Sequence, residues 1–267
     1  MVDEIRGYYD RGEEQERLTG DGDTIELVRT RELLLRYLPP APVSILDIGG
    51  GAGVYAAWLA RRGYHVHLVD PVPLHVEQAR TVAAAQPEAP FTAAVGDARG
   101  LAEADSSTDA VLFLGPLYHL TERADRLTAL GEARRVLRPG GRLLAAGIPR
   151  FASLLDGLRA GWLGDPVFAD IVARDLRDGQ HRNPHHHPAW FTTAFFHHPD
   201  ELAAEIREAG LIFEALLGIE GPGWLLDSAW ADPSRREDVL FAARAIEQEP
   251  SLLGLSTHLL AVGRRDR

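Results

Sequence analysis

Ile45-Leu46-Asp47-Ile48-Gly49-Gly50-Gly51-Ala52-Gly53-Val54-Tyr55 is an apolar run that stops in four glycines within five residues and resumes as a helix start. The run from Val43 to Ile48 is short and almost continuously apolar, as suits a strand buried on both faces of a parallel sheet. Glycines at such a turn allow positive φ and let a ligand approach backbone N–H groups at a helix N-terminus. Gly51-x-Gly53-x-x-Ala56 also satisfies the dinucleotide pattern G-x-G-x-x-A, so the loop alone leaves the ligand open.

Outward from this turn, strands and helices alternate. The pattern predicts helix 53–62, strand 65–70, helix 72–86, strands 90–95 and 108–115, helix 121–137, and strand 142–148 after Pro139-Gly140-Gly141. That order implies a parallel sheet with helices on both faces. The rhythm breaks at 150–198, with short helices at 151–160 and 166–177 and then a segment rich in His and Pro. It resumes as helix 199–209, strand 211–219, helix 234–248 and strand 256–263. Upstream, helices are expected at 3–18 and 24–38, separated by Gly20-Asp21-Gly22-Asp23. Pro39-Pro40 ends the second of them. The expected division is an N-terminal helical arm over 1–40 and one domain over 41–267, with a lid-like insertion at 150–198.

Composition narrows the chemistry. The chain has 267 residues and no Cys, which excludes disulfides, thiolate nucleophiles and iron–sulfur clusters. All 28 basic residues are Arg, so Schiff-base and phosphate-loop lysines are excluded as well. A net charge of −11 argues against nucleic acid as a partner. The acidic N-terminus does not read as a signal peptide, and no apolar run reaches a membrane span. A cytoplasmic bacterial protein, monomer or homodimer, is the expectation.

Three carboxylates stand at successive strand ends. Asp47 sits two residues before the first glycine, where it would repel a pyrophosphate. Asp70 ends His67-Leu68-Val69-Asp70, placed either to take ribose hydroxyls or to cap the next helix. Asp97 follows Val95-Gly96, where it can accept from an adenine amino group or close a turn. An acidic loop with no nearby Arg favours a cationic ligand over a diphosphate.

Asp47-x-Gly49-x-Gly51-x-Gly53, Asp70 and Gly96-Asp97 together resemble the class I S-adenosylmethionine-dependent methyltransferases, over roughly residues 40–265. The resemblance implies a Rossmann-like doubly wound α/β sheet, mostly parallel, with an antiparallel last strand at 256–263. It also implies S-adenosyl-L-methionine as cofactor and S-adenosyl-L-homocysteine as product. The glycine loop would hold the methionine part, Asp70 the ribose, and Asp97 with Ala98 the adenine. The arm Tyr8-Tyr9-Asp10 and the segment Gly115–Leu120 are similar to a bacterial branch of the family, which places Tyr9 at the cofactor and Tyr8 at the acceptor.

Strand 4 ends in Pro116-Leu117-Tyr118-His119, beyond the carboxyl edge where open α/β sheets bind ligands. His119 and Tyr118 are therefore the catalytic candidates; a neutral His119 can remove a proton from a hydroxyl or amine. Anchoring backbone is the other role open to His119, and core packing the other open to Tyr118. Six of the eleven His fall within 181–198, but Pro184 and Pro188 bracket the triplet and no metal-ligand spacing accompanies it. No metal is expected there. His181 and His185 are instead candidate acceptor contacts on a flexible lid, and His197-His198-Pro199-Asp200 reads as a helix start. Trp224, in Gly221-Pro222-Gly223-Trp224, could line the acceptor pocket or plug the insertion. Arg29 and Arg31 read as solvent-facing or paired with Glu26 and Glu32.

The expected activity is methyl transfer to an O or N atom of a small molecule. A nicotinamide-dependent oxidoreductase and a non-catalytic cofactor-binding protein are the alternatives on the same fold.

Overall fold

The computed structural model describes residues 23–267. Tyr8, Tyr9 and the helix expected at 3–18 lie outside the described residues.

The first described helix, α1 (Ile25–Tyr37), starts where the Thr24 hydroxyl accepts the Leu27 N–H at 3.1 Å. Then come β1 (Ser44–Ile48), α2 (Val54–Ala60), β2 (His65–Asp70), α3 (Pro73–Ala84), β3 (Thr92–Val95) and β4 (Thr108–Phe113). After β4 the chain makes a single turn, α4 (Pro116–His119), before α5 (Arg123–Val136) and the long β5 (Leu137–Pro149). Strands β1 to β5 are mutually parallel in the order β3-β2-β1-β4-β5.

The sequence reading of 150–198 as a break in the rhythm holds only for its first half. Helices α6 (Ala152–Ala160) and α7 (Pro166–Asp178) are as expected. The His-rich half instead forms β6 (Gln180–His181) and β7 (Ala194–His197), and β7 pairs parallel to Ile148 and Pro149 at the end of β5. The reason is visible in Ala194-Phe195-Phe196-His197, four buried residues whose backbone needs a ladder partner away from water.

α8 (Pro199–Glu208) begins with Pro in its first turn, and the Glu201 carboxylate accepts the His198 N–H at 2.8 Å. β8 (Ile212–Gly218), α9 (Asp227–Ala231), α10 (Arg236–Ile246) and β9 (Leu259–Arg264) complete the chain. β9 lies antiparallel between β5 and β8, as the resemblance implied.

Alternate residues of the central strands face opposite layers. Leu112 of β4 and Leu68 of β2 pack with Leu33 and Leu34 of α1 and Leu59 of α2. Val111 and Phe113 of β4 pack instead with Leu130 and Ala133 of α5 and with Leu202 and Ile206 of α8. Covering both faces explains why these strands read as continuous apolar runs.

For Arg29 the expected pairing with Glu32 is present, while the solvent-facing alternative fails. Arg29 is fully buried on α1, pairs with Glu32 at 2.7 Å and Glu247 at 2.5 Å, and donates its Nε–H to the Ile219 carbonyl at 3.0 Å. Its guanidinium thus pins α1 to the end of β8. Arg31 pairs with Asp23 at 3.4 Å.

Candidate active site

The carboxyl ends of β1, β2, β3, β4 and β5 open onto one cleft of about 1300 Å³, mouth included. It is floored by the glycine loop and bounded by Asp47, Asp70, Asp97, Ala98, Tyr118 and His119. Seven sequence-derived candidates, Asp47, Gly49, Gly51, Asp70, Asp97, Tyr118 and His119, therefore meet there, with Ala98 beside them.

The glycine requirement is physical. Gly49, Gly51 and Gly53 hold φ of +71°, +56° and +87°, where L side chains are strained. A Cβ on Gly49 would stand 2.7 Å from the Pro116 ring, and one on Gly50 would stand 2.6 Å from Asp47 Oδ2. Gly53 starts α2 from the left-handed region and borders Phe91 rather than the cleft.

Asp70 ties the loops together. Its Oδ2 accepts the Gly51 N–H at 3.0 Å, and its Oδ1 accepts the Val72 N–H at 2.8 Å and lies 3.2 Å from His75 Nδ1. It caps no helix: α3 begins at Pro73 after Val72. Asp47 is 1% exposed, and its Oδ2 has no hydrogen-bond partner among the described residues. Burial, with the charge of Asp70 adding to it, pushes the Asp47 carboxyl up to about 7.

Asp97 accepts the backbone N–H of Arg99 at 2.9 Å and two guanidinium N–H groups at 2.7 and 3.0 Å. These bonds hold its carboxyl down at about 2. The premise of a loop without Arg is thereby corrected. Arg99 lines the same cleft, but its charge is committed to Asp97 and, at 3.0 Å, to Asp125.

At the β4 end, the Tyr118 hydroxyl donates to the Leu114 carbonyl at 3.2 Å and its ring meets His119 edge-on at 4.7 Å. His119 Nδ1 lies 3.4 Å from the Thr193 carbonyl. A carbonyl only accepts, so the proton in that contact sits on Nδ1 and Nε2 is the ring's accepting nitrogen. Burial pulls the imidazole down to about 4.

The remaining candidates stand elsewhere. His181 is buried with Nδ1 2.8 Å from Asp175 and Nε2 3.2 Å from the Phe191 carbonyl, and its ring stacks on Phe196 at 4.8 Å. It locks β6 onto α7 and does not line the cleft. His185 is exposed on a turn that Asn183 holds through the carbonyls of His187 and Trp190. Trp224 plugs: its ring packs on the cluster of Ile25, Ala229 and Val239, and its indole N–H donates to the Leu255 carbonyl at 2.8 Å.

Residues the sequence reading passed over also line the cleft: Glu26 and Thr30 of α1, His75 of α3, Ile219 and His258. Arg99 was legible from its spacing to Asp97. Glu26 and His258 are brought in by tertiary folding alone.

Comparison with known proteins decides the family. Residues 45–141, from β1 into β5, match the family described as "Methyltransferase domain". The chain is 31% identical over 210 residues to a ubiquinone biosynthesis O-methyltransferase of Xylella fastidiosa, covering 78% of this chain and 75% of that one. The chain belongs to the class I S-adenosylmethionine-dependent methyltransferases. A ubiquinone/menaquinone biosynthesis C-methyltransferase of Acidiphilium cryptum is also 31% identical, over 206 residues, 75% of this chain and 78% of that one. The fold matches an S-adenosylmethionine-dependent methyltransferase structure from Mesorhizobium loti with a TM-score of 0.62 at 16% identity, covering 91% of this chain and all of the other.

This membership replaces the nicotinamide reading. The buried Asp47 beneath the loop gives the physical reason: a second anion on the same turn would face it at short range. The residues fit the methyltransferase's cofactor. Asp47 Oδ2 is a buried acceptor awaiting a donor, as an amino group would supply, and the loop has room only for backbone.

Proposed function

We propose that this methyltransferase moves the methyl group to an oxygen or nitrogen of a small molecule seated over β4 and β5. The observation that carries the reading is a single cleft. It joins the glycine loop, Asp70 and Asp97 to Tyr118, His119, Ala146 and His258 on its other flank. The similarity to a ubiquinone biosynthesis O-methyltransferase supports the oxygen acceptor.

S-adenosylmethionine supplies, when bound, an electrophilic methyl group on a sulfonium. This chain's residues do the rest. Asp47 would take the amino group of the methionine part, Asp70 the ribose hydroxyls, and Asp97 with Ala98 the adenine edge. Tyr9, from the arm outside the described residues, would close over the same ligand, and Tyr8 would face the acceptor. The 1–40 arm and the 150–198 insertion would enclose the acceptor and exclude water, which strengthens every polar contact inside. Much of the rate then comes from holding the acceptor atom in line, since orientation alone is worth about 7–11 kcal/mol in favourable systems.

His119 and Tyr118 shape the acceptor side of β4. With its imidazole pulled to about 4, His119 is neutral near pH 7 and can accept a hydrogen bond from a polar group of the acceptor. The His tract between 181 and 198 has no place in this scheme as a metal centre: the imidazole of His181 is engaged by Asp175 and the Phe191 carbonyl, while His185 points to solvent.

Calorimetry with S-adenosylhomocysteine, followed by transfer from methyl-labelled S-adenosylmethionine to a panel of phenols and amines, tests the reading. Binding with labelled product is expected. Absence of binding would reject the cofactor assignment, and label only on carbon would reject the acceptor atom.

A further inference from the structure

β8 and β9 run antiparallel with Gly218 opposite Leu259, and the ladder continues one step further where the Ile219 N–H donates to the His258 carbonyl at 3.0 Å. That register sets Glu220 beside His258. Glu220 is 1% exposed, and both of its oxygens have hydrogen-bond partners. Oε1 lies 2.6 Å from His258 Nδ1, while Oε2 accepts the Ser256 hydroxyl at 2.6 Å and the His258 N–H at 3.0 Å. Ser256, itself fully buried, is held in turn by the backbone N–H groups of Glu220 and Gly221 at 3.0 and 3.3 Å. From the other side, the buried Arg29 fixes the Ile219 carbonyl.

An imidazole in this setting has one proton position. A buried carboxylate at 2.6 Å takes the Nδ1–H, so Nε2 is the basic nitrogen, and His258 lines the cleft beside Ile219 and Glu26. We propose, building on the small-molecule transfer reading above, that His258 is the general base of the reaction and Glu220 its positioning residue. As the acceptor's heteroatom forms its bond to the methyl carbon, the methyl–sulfur bond breaks with its electron pair remaining on sulfur. The acceptor's proton passes to His258 Nε2, Glu220 compensates the imidazolium charge, and the proton then leaves to solvent. A carboxylate in that role fixes tautomer and orientation without itself being protonated.

The contrast with His119 carries the choice. His119 Nδ1 faces a backbone carbonyl at 3.4 Å, whereas His258 Nδ1 faces a buried carboxyl group held in place by Ser256. Glu26, Glu220 and His258 also bring donor atoms within 4.8 Å of one another, a spacing open to a metal ion. The bonding of Glu220 favours the dyad, because its Oε1 already faces His258 Nδ1 and its Oε2 is held by Ser256 and the His258 N–H.

The test begins with ¹⁵N imidazole spectra of the protein saturated with S-adenosylhomocysteine, which needs no acceptor. His258 is expected as the Nδ1–H tautomer, reverting to a mixture in Glu220→Gln. On whichever phenol of the panel is methylated, His258→Gln and Glu220→Gln should each lower kcat by roughly 10²-fold or more. The double variant should lose little beyond the worse single one, and affinity for S-adenosylhomocysteine should change less than about twofold. Three results would overturn the proposal: an Nε2–H tautomer in the wild-type protein, stoichiometric zinc or magnesium ligated by His258, or full turnover in His258→Gln. Failure of the wild-type protein to bind S-adenosylhomocysteine would instead reject the underlying cofactor reading.

Discussion

Asp70 Oδ2 accepts the Gly51 N–H at 3.0 Å, so the acid that ends β2 is bonded to the loop that ends β1. The same carboxylate engages Val72 and His75. Replacing it therefore disturbs the cradle as well as any ribose contact. Asp70→Ala is expected to weaken S-adenosylhomocysteine binding by about 1–3 kcal/mol and to lower Tm. Asp70→Asn should keep part of the loop geometry and lose less Tm than affinity. Calorimetry and melting curves on both variants check this, and unchanged affinity would remove Asp70 from the cofactor site.

With the cofactor's amino group at Asp47, as proposed, binding becomes proton-linked. Its carboxyl is raised to about 7 in the folded protein. Such a group favours the fold below the ordinary carboxylate range, and that contribution is lost as pH rises through about 7. An amino group arriving at Oδ2 favours the charged form, so binding should release a proton near pH 6 and affinity should rise from pH 6 to 8. Calorimetry in buffers of different ionisation heat measures the released proton. Asp47→Asn should abolish the release and weaken binding while raising the Tm of the free protein at pH 8.

His119 should leave no titration in the neutral range. With its imidazole at about 4, the group is neutral from about pH 5 upward, and kcat should show no step from it there. His119→Ala is expected to lower kcat through a misplaced acceptor while cofactor affinity is retained. A pH profile of the variant, scaled to folded protein by melting temperature, decides the point. A lost step between pH 6 and 7 in the variant would contradict the assignment.

Glu205 joins one buried cation, Arg126, to a buried imidazole, His197. It meets Arg126 through bonds of 2.8–3.1 Å and lies 3.3 Å from His197. Burial works against its charge, but the bonds from His197 and Arg126 outweigh burial and keep the carboxyl at about 2. A depressed carboxylate stabilises the fold above the ordinary Glu range, and the contribution drains away as pH falls from about 4.5 toward 2. Glu205→Gln leaves Arg126 buried without its counterion, at a cost of about 3–5 kcal/mol. Denaturant unfolding at pH 7 and pH 3 should show the difference from wild type shrinking at the lower pH.

Gly49→Ala should be destabilising by about 1–3 kcal/mol, because φ is +71° and the new methyl would meet the Pro116 ring. Melting temperature reads it directly.

The sequence carried the sheet and the glycine-loop half of the cleft because both are local. Period and glycine placement locate β1 to β5, and each acid there lies within two residues of a strand end. β6 and β7 escaped notice because two-residue and four-residue strands have almost no periodicity; β6 pairs only with β7, and the β5 residues that pair with β7, Ile148 and Pro149, lie far upstream of Phe196 and His197. Glu220 and His258 escaped for a related reason. Neither belongs to a spaced motif, and only the β8–β9 register sets them side by side. The burial of Arg29 was not legible because a charged residue on a helix is ordinarily solvated; its partner Glu247 is 218 positions away.

The contact between His119 and the Thr193 carbonyl joins the β4 end of the cleft to the strand pair of 180–197. That pair is joined to β5 at Ile148 and Pro149 and anchored in the core by His197 on Glu205 and His181 on Asp175. It therefore stiffens the acceptor end of the cleft from outside.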